Sequence, residues 1–191
     1  TELTGGNLRT DSDATDYKKA RKILNAVLEA DIGSSSGYIS LARLEEMEGK
    51  LSRAREVITE AAQKITDSED IWEEAARLHP QKAAVIFLRK GLTYLPESAR
   101  LWKAYTNRHS VSSDRVKVYE QALNHVSFNE DIWKSLISLV DDEKAKIYLY
   151  KAVECVPHSE DLWLALAKLE DYSQSKKVLN DARKTIPKSL Q

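Results

Sequence analysis

"SEDIW" occupies residues 68–72, "NEDIW" 129–133 and "SEDLW" 159–163, with "SARLW" at 98–102 between them. These stretches hold all four tryptophans, Trp72, Trp102, Trp133 and Trp163, so the largest side chains recur at steps of 30, 31 and 30 residues. Tyr38 extends the column, 34 residues before Trp72. Three residues beyond each ring stand Leu41, Ala75, Tyr105, Leu136 and Leu166; six beyond stand Leu44, Leu78, Arg108, Leu139 and Leu169. Steps of three and four place these residues on one face of an amphipathic helix, here termed A. The lead-ins Ser68-Glu69-Asp70, Asn129-Glu130-Asp131 and Ser159-Glu160-Asp161 read as helix starts. Their first side chain can cap free backbone N–H groups, and their acids oppose the positive end of the helix dipole.

A second register follows each A helix. Ala20, Ala54, Ala84, Arg115, Ala145 and Ser175 align, and seven residues on the side chain is mostly small: Val27, Ala61, Gly91, Ala122, Ala152 and Ala182. Between them lie apolar pairs such as Val57/Ile58 and Val118/Tyr119, which mark a second helix, B. Pro96, Pro157 and Pro187 end three B helices, since proline has no amide to donate, and Thr66 and Ser127 take that place in two others. The small column is spaced 34, 30, 31, 30 and 30, in step with the aromatic column. The expected elements are a B helix over about 17 to 30 and five A–B pairs over about 36 to 65, 69 to 95, 99 to 126, 130 to 156 and 160 to 186.

Six glycines and four prolines in 191 residues are too few for a strand-and-turn protein, so the expected class is all-α. Two short helices cannot bury their apolar faces alone, and the pairs should stack into a right-handed α-α superhelix, a solenoid of about five and a half repeats. Residues 1–16, with Gly5-Gly6 and a run of Ser, Thr and Asp, read as a flexible lead-in. A single repeat domain is expected over 17–187 and the start of a further segment over 188–191; with no polar capping helix, the chain reads as a section of a longer array. Each ring of Tyr38, Trp72, Trp102, Trp133 and Trp163 is expected to be a structural wedge between its own helix B and the adjoining repeat.

The pattern Trp-x-x-apolar-x-x-Leu, then Ala-Arg-x-x-apolar-x-x-Ala and a late proline, resembles the half-a-TPR (HAT) class of the tetratricopeptide superfamily, with "RVKVYEQAL" (115–123) and "ARLEE" (42–46) as its helix signatures. More narrowly, "ARLEEMEGKLSRAR" (42–55), "SEDIWEEAARLHP" (68–80) and "KAVECVPHSEDLWLALAKLEDYSQSKKVLNDARKTIP" (151–187) look like the pre-mRNA-processing factor six family. The resemblance implies a non-enzymatic nuclear scaffold of the spliceosomal tri-snRNP. Its partners would be other spliceosomal snRNP proteins, with RNA contact indirect. Two other readings stay open: an array that binds RNA directly, and a peptide receptor outside splicing. Departures from the class are Arg115 and Ser175 for alanine, Gly91 within a helix, and His79, His109 and Val140 where Glu45 and Glu170 keep the pattern.

No catalytic, metal or cofactor constellation is expected. His79, His109, His125 and His158 lack the i, i+4 spacing of a helical metal site, and they read as helix-end groups. Cys155, beside two valines, reads as a small apolar group, and a lone cysteine fits a reducing compartment. Asp141-Asp142-Glu143 lacks calcium-loop spacing and reads as a helix start. A net charge of −1 supplies no basic field for nucleic acid or an anionic membrane, no apolar run approaches the ~18 residues of a membrane span, and no small-molecule substrate is implied.

In tetratricopeptide-like arrays the A helices line the concave side, so residues two before, one after and five after each wedge should face the groove. They include Arg43, Arg77, Lys103, Asn107, Lys134 and Lys168, a cationic ladder suited to an acidic helix or extended segment of a protein partner.

Overall fold

The computed structural model describes residues 11–186, with side chains from residue 15. Among the described residues there are eleven helices and no strand: α1 (Asp11–Ala30), α2 (Ser35–Met47), α3 (Leu51–Lys64), α4 (Glu69–Leu78), α5 (Gln81–Tyr94), α6 (Ala99–Thr106), α7 (Ser112–Leu123), α8 (Glu130–Ile137), α9 (Asp142–Cys155), α10 (Glu160–Leu169) and α11 (Tyr172–Thr185). The A helices are α2, α4, α6, α8 and α10. The B helices are α1 and the odd-numbered helices after it.

One boundary departs from expectation. α1 starts at Asp11, not near residue 17, because no glycine or proline stands between Gly6 and Gly33 to halt a helix. Residues 11–16 of the expected lead-in are thus helical. Residues 1–10, Pro187 and the segment expected over 188–191 lie outside the described residues.

Local chemistry explains most of the helix starts. Ser98 Oγ accepts from the Leu101 N–H (3.1 Å), Asn129 Oδ1 from Ile132 (3.1 Å) and Ser159 Oγ from Leu162 (3.3 Å), each satisfying an otherwise free amide. Among the four tryptophan lead-ins Ser68 is the exception: it holds the N-cap position with extended backbone but makes no side-chain cap hydrogen bond, leaving Glu69 and Asp70 to oppose the dipole. Asp141 caps α9, accepting from the Lys144 N–H at 2.9 Å, so the acidic run there is a helix start. The α2–α3 turn needs Gly49, whose φ of 84° is accessible to glycine at little cost. In that turn the Gly49 N–H reaches Glu46 O and the Lys50 N–H reaches Glu45 O, both at 2.8 Å.

The core follows the columns. Ala54, Ala61, Ala84, Ala122 and Ala152 are wholly buried, and their small size lets neighbouring helices approach. The residue before each tryptophan, Ile71, Leu101, Ile132 or Leu162, is also buried. In the first A helix this place is taken by Gly37, where an added Cβ would come within 2.9 Å of Leu28 Cδ2. Leu28 already fills the space that the larger aliphatic residues occupy elsewhere.

Such a chain has no single centre, because each helix touches only its neighbours. The described residues fall into two compact units, divided between Phe87 and Leu88. In the first, α2 packs on α1, α3 and α4, and α3 on α4. In the second, contacts run in sequence order from α6 to α11.

Candidate interaction face along the leading helices

The aromatic column builds the frame of the face. Tyr38, Trp72, Trp102 and Trp133 are buried, at 5%, 0%, 7% and 4% exposure, whereas Trp163 in the last A helix is half-buried. Burying an indole removes ~150–250 Å² from water, worth about 4–6 kcal/mol before entropy at roughly 25 cal/mol per Å². Each indole N–H also has a fixed partner, the carbonyl oxygen six residues earlier. Trp72 donates to Thr66 (3.0 Å), Trp102 to Pro96 (2.8 Å), Trp133 to Ser127 (2.7 Å) and Trp163 to Pro157 (2.9 Å). These carbonyls lie just beyond the end of the preceding B helix, so the indole pins the start of an A helix to that end. Tyr38 acts differently, its hydroxyl accepting from Lys64 Nζ at 3.1 Å while the ammonium lies 5.7 Å from the ring centroid.

On this frame stand the ladder cations, and most of them are bound to acids of a neighbouring A helix. In the first unit Arg43 Nε donates to Glu74 Oε1 at 2.8 Å, and Arg77 Nε donates to Glu74 Oε2 at 2.9 Å. Arg77 also forks onto Glu46. Glu74 is 4% exposed: burial pushes its carboxyl pKa up, but the hydrogen bonds from Arg77 and Arg43 outweigh it, and the group sits below the ordinary carboxylate value. In the second unit Lys103 Nζ reaches Asp131 Oδ2 at 2.9 Å, and Lys134 Nζ reaches Asp161 Oδ2 at 2.5 Å and Glu130 Oε1 at 2.6 Å. Hydrogen bonds from the lysines hold Asp131 and Asp161 below the ordinary aspartate value. Asn107 Oδ1 accepts from Arg115 at 3.2 Å. Lys168 is exposed in the last turn of α10 and contributes to the field at Asp161.

A second set of pairs joins α1 to α2 and α9 to α10, in each case a B helix to the A helix that follows it. Arg21 forks onto Glu45, which is 3% exposed, and also reaches Glu48. Lys146 Nζ donates to Glu170 at 3.2 Å, and the Tyr150 hydroxyl donates to the same carboxylate at 2.9 Å. Arg21 and Lys146 hold one repeat position, just after the small column, and Glu45 and Glu170 hold another, seven residues after the wedge. Where His79 replaces the acid, Arg55 Nε donates to the Leu78 carbonyl at 2.7 Å. His79 itself lies against the end of its own helix, Nδ1 2.8 Å from Ala75 O.

Comparison with known proteins settles the kinship. No family model matches the chain. Over 91 residues, 48% of the chain, it is 41% identical to pre-mRNA-splicing factor prp1 of Schizosaccharomyces pombe, and over 90 residues, 47% of the chain, it is 41% identical to human pre-mRNA-processing factor 6. Over 133 residues, 68% of the chain, it is 32% identical to pre-mRNA-splicing factor 6 of Saccharomyces cerevisiae. The chain is homologous to these splicing factors. It spans 10% of the length of the first two and 15% of the third. The C-terminal part of a TPR repeat-containing protein from Cytophaga hutchinsonii superposes with a TM-score of 0.53 over 90% of this chain and 75% of that one, at 12% identity, which speaks to fold alone. The pre-mRNA-processing factor 6 homology and the helical-repeat fold thus agree with the resemblance carried by the sequence motifs.

Two features of the site escaped the sequence reading although their signals were present. The indole hydrogen bond was implicit in the constant six-residue offset from Thr66, Pro96, Ser127 and Pro157 to the next tryptophan. The pairing of the cations was implicit in the acids two residues before Trp133 and Trp163, where Asp131 and Asp161 stand one repeat after Lys103 and Lys134. Those acids are helix-start charges and serve as ladder partners as well.

Proposed function

We propose that the chain is part of a non-enzymatic, nuclear protein-interaction scaffold that works in pre-mRNA splicing and helps hold the spliceosomal tri-snRNP together. The observation that carries this reading is the 41% identity to pre-mRNA-processing factor 6 over 90 residues. The fold supports it, because stacked hairpins present the side chains of successive A helices side by side within each unit. Docking is assigned to the A-helix side chains of each unit: Arg43 and Arg77 in the first, and Lys103, Asn107, Lys134 and Lys168 in the second. The exposed Lys103–Asp131 and Lys134–Asp161 pairs suit such a role: ion pairs of this kind are worth little, so a partner carboxylate can displace the aspartate at small cost. Recognition would then be by an acidic protein segment.

The test is binding of the chain to purified tri-snRNP proteins, with and without the double substitution Lys103→Glu/Lys134→Glu. Loss of binding with helicity unchanged supports this face, whereas undiminished affinity removes it. An RNA affinity that falls steeply with salt, showing release of several counterions, would instead favour direct RNA binding.

A further inference from the structure

The α6–α7 hairpin is built differently from the other two hairpins of the second unit. From Trp133 to Ala145 and from Trp163 to Ser175 is twelve residues, but from Trp102 to Arg115 is thirteen. The extra residue sits in the longest of the three turns, 107–111, against 138–141 and 170–171. It also removes a cap. Eight residues after Trp133 and Trp163 stand Asp141 and Asp171, which accept from the Lys144 and Gln174 N–H groups, both at 2.9 Å. The equivalent of these acids is Ser110, and the N-cap of α7 is Val111, which has no side chain to offer an amide and is itself 54% exposed.

Two substitutions compound the defect. Arg115 replaces the small residue of the B column, and His109 stands where Glu170 binds Lys146 and Tyr150 in the last hairpin. The Nε of Arg115 and the Nε2 of His109 are both buried without a hydrogen-bond partner. Each such polar group carries a desolvation cost that nothing in the fold recovers. Besides its buried apolar residues and one exposed hydrogen bond, from Arg115 to Asn107 Oδ1 at 3.2 Å, the hairpin is held by ring contact: Tyr105 edge-on to His109 with centroids 5.0 Å apart, and Trp102 stacked on His125 at 5.9 Å. Ring stacking tolerates sliding better than a cap or an ion pair, which fix a donor to an acceptor.

We propose that the α6–α7 hairpin is a yielding joint: it opens locally before the α8–α9 hairpin does, while the helices on either side stay formed. The consequence reaches the docking residues, since α6 carries Lys103 and ends on its C-cap, Asn107. This part of the inference rests on the function proposed above; the opening itself does not.

Native-state hydrogen exchange on the whole chain tests it. Amides of α6 and of the first turn of α7 should exchange at least tenfold faster than the matching amides of α8 and α9. Arg115→Ala restores the small residue and removes one orphaned nitrogen, so it should slow exchange in α6–α7 at least threefold and leave α8–α9 unchanged. Equal protection of the two hairpins in the unsubstituted chain, or faster exchange in the Arg115→Ala protein, would overturn the proposal. Neither readout involves a splicing partner, so failure of the joint is distinguishable from failure of the docking face.

Discussion

The unit that ends at Phe87 and the one that begins at Leu88 meet one requirement, the tethering of one A helix to the next, with different chemistry. In the first unit a single buried carboxylate, Glu74, takes hydrogen bonds from both Arg43 and Arg77. In the second, exposed lysines reach exposed aspartates one pair at a time. An arginine fork on a buried carboxylate cannot be undone without stranding a charge, whereas an exposed lysine can trade its partner for another anion or for water. The first unit therefore spends its cations on rigidity, and the second keeps its own available.

The comparison can be broken most directly at what the two units share. Trp72→Ala and Trp133→Ala should each lower stability to urea by about 3–5 kcal/mol, through loss of a buried aromatic. A much smaller loss at Trp133 would mean that the units differ in their spine and not just along their edge. Next comes Glu74→Gln, which should cost about 1–3 kcal/mol, less than the full penalty for breaking a buried pair because both arginines are half-exposed. Asp131→Asn should cost less than about 1 kcal/mol by the same measurement. If it matched Glu74→Gln, the contrast between the edges would be false.

Acid sharpens the same contrast. Glu74 and Glu46 are held below the ordinary carboxylate value, Glu46 chiefly by the Arg77 hydrogen bond, so the unfolded chain binds their protons more readily. Their contribution is complete above the unfolded carboxylate pKa near about 4.3 and disappears as the pH falls through their lower folded values. Thermal melts between neutral pH and about pH 3 should show the Glu74→Gln protein losing less stability than the unsubstituted chain. Parallel curves would show that Glu74 does not feel its arginines.

How much of this was legible beforehand depended on whether a property belongs to one residue or to a pair. Helix positions were legible, because burial of an aromatic every 30 or 31 residues leaves a periodic trace in single residues. The start of α1 was not, since acids and serines read equally well as a tail or as a first turn. The ladder cations were found as residues, but their pairing depends on the rise from one repeat to the next, which spacing alone does not give. Ser68, present at its N-cap without the expected hydrogen bond, is unexplained by anything in the structure.

The indole hydrogen bond governs how such a chain can change in length. From Ala20 to Tyr38, Ala54 to Trp72, Ala84 to Trp102, Arg115 to Trp133 and Ala145 to Trp163 the interval is always eighteen residues. From each ring to the next small-column residue it is sixteen, twelve, thirteen, twelve and twelve. An insertion between a B helix and the next tryptophan would pull the indole off its carbonyl, whereas one between A and B only lengthens a turn. Within this chain the constant module is thus a B helix with the A helix that follows it, and the differences in length fall in the turns from A to B.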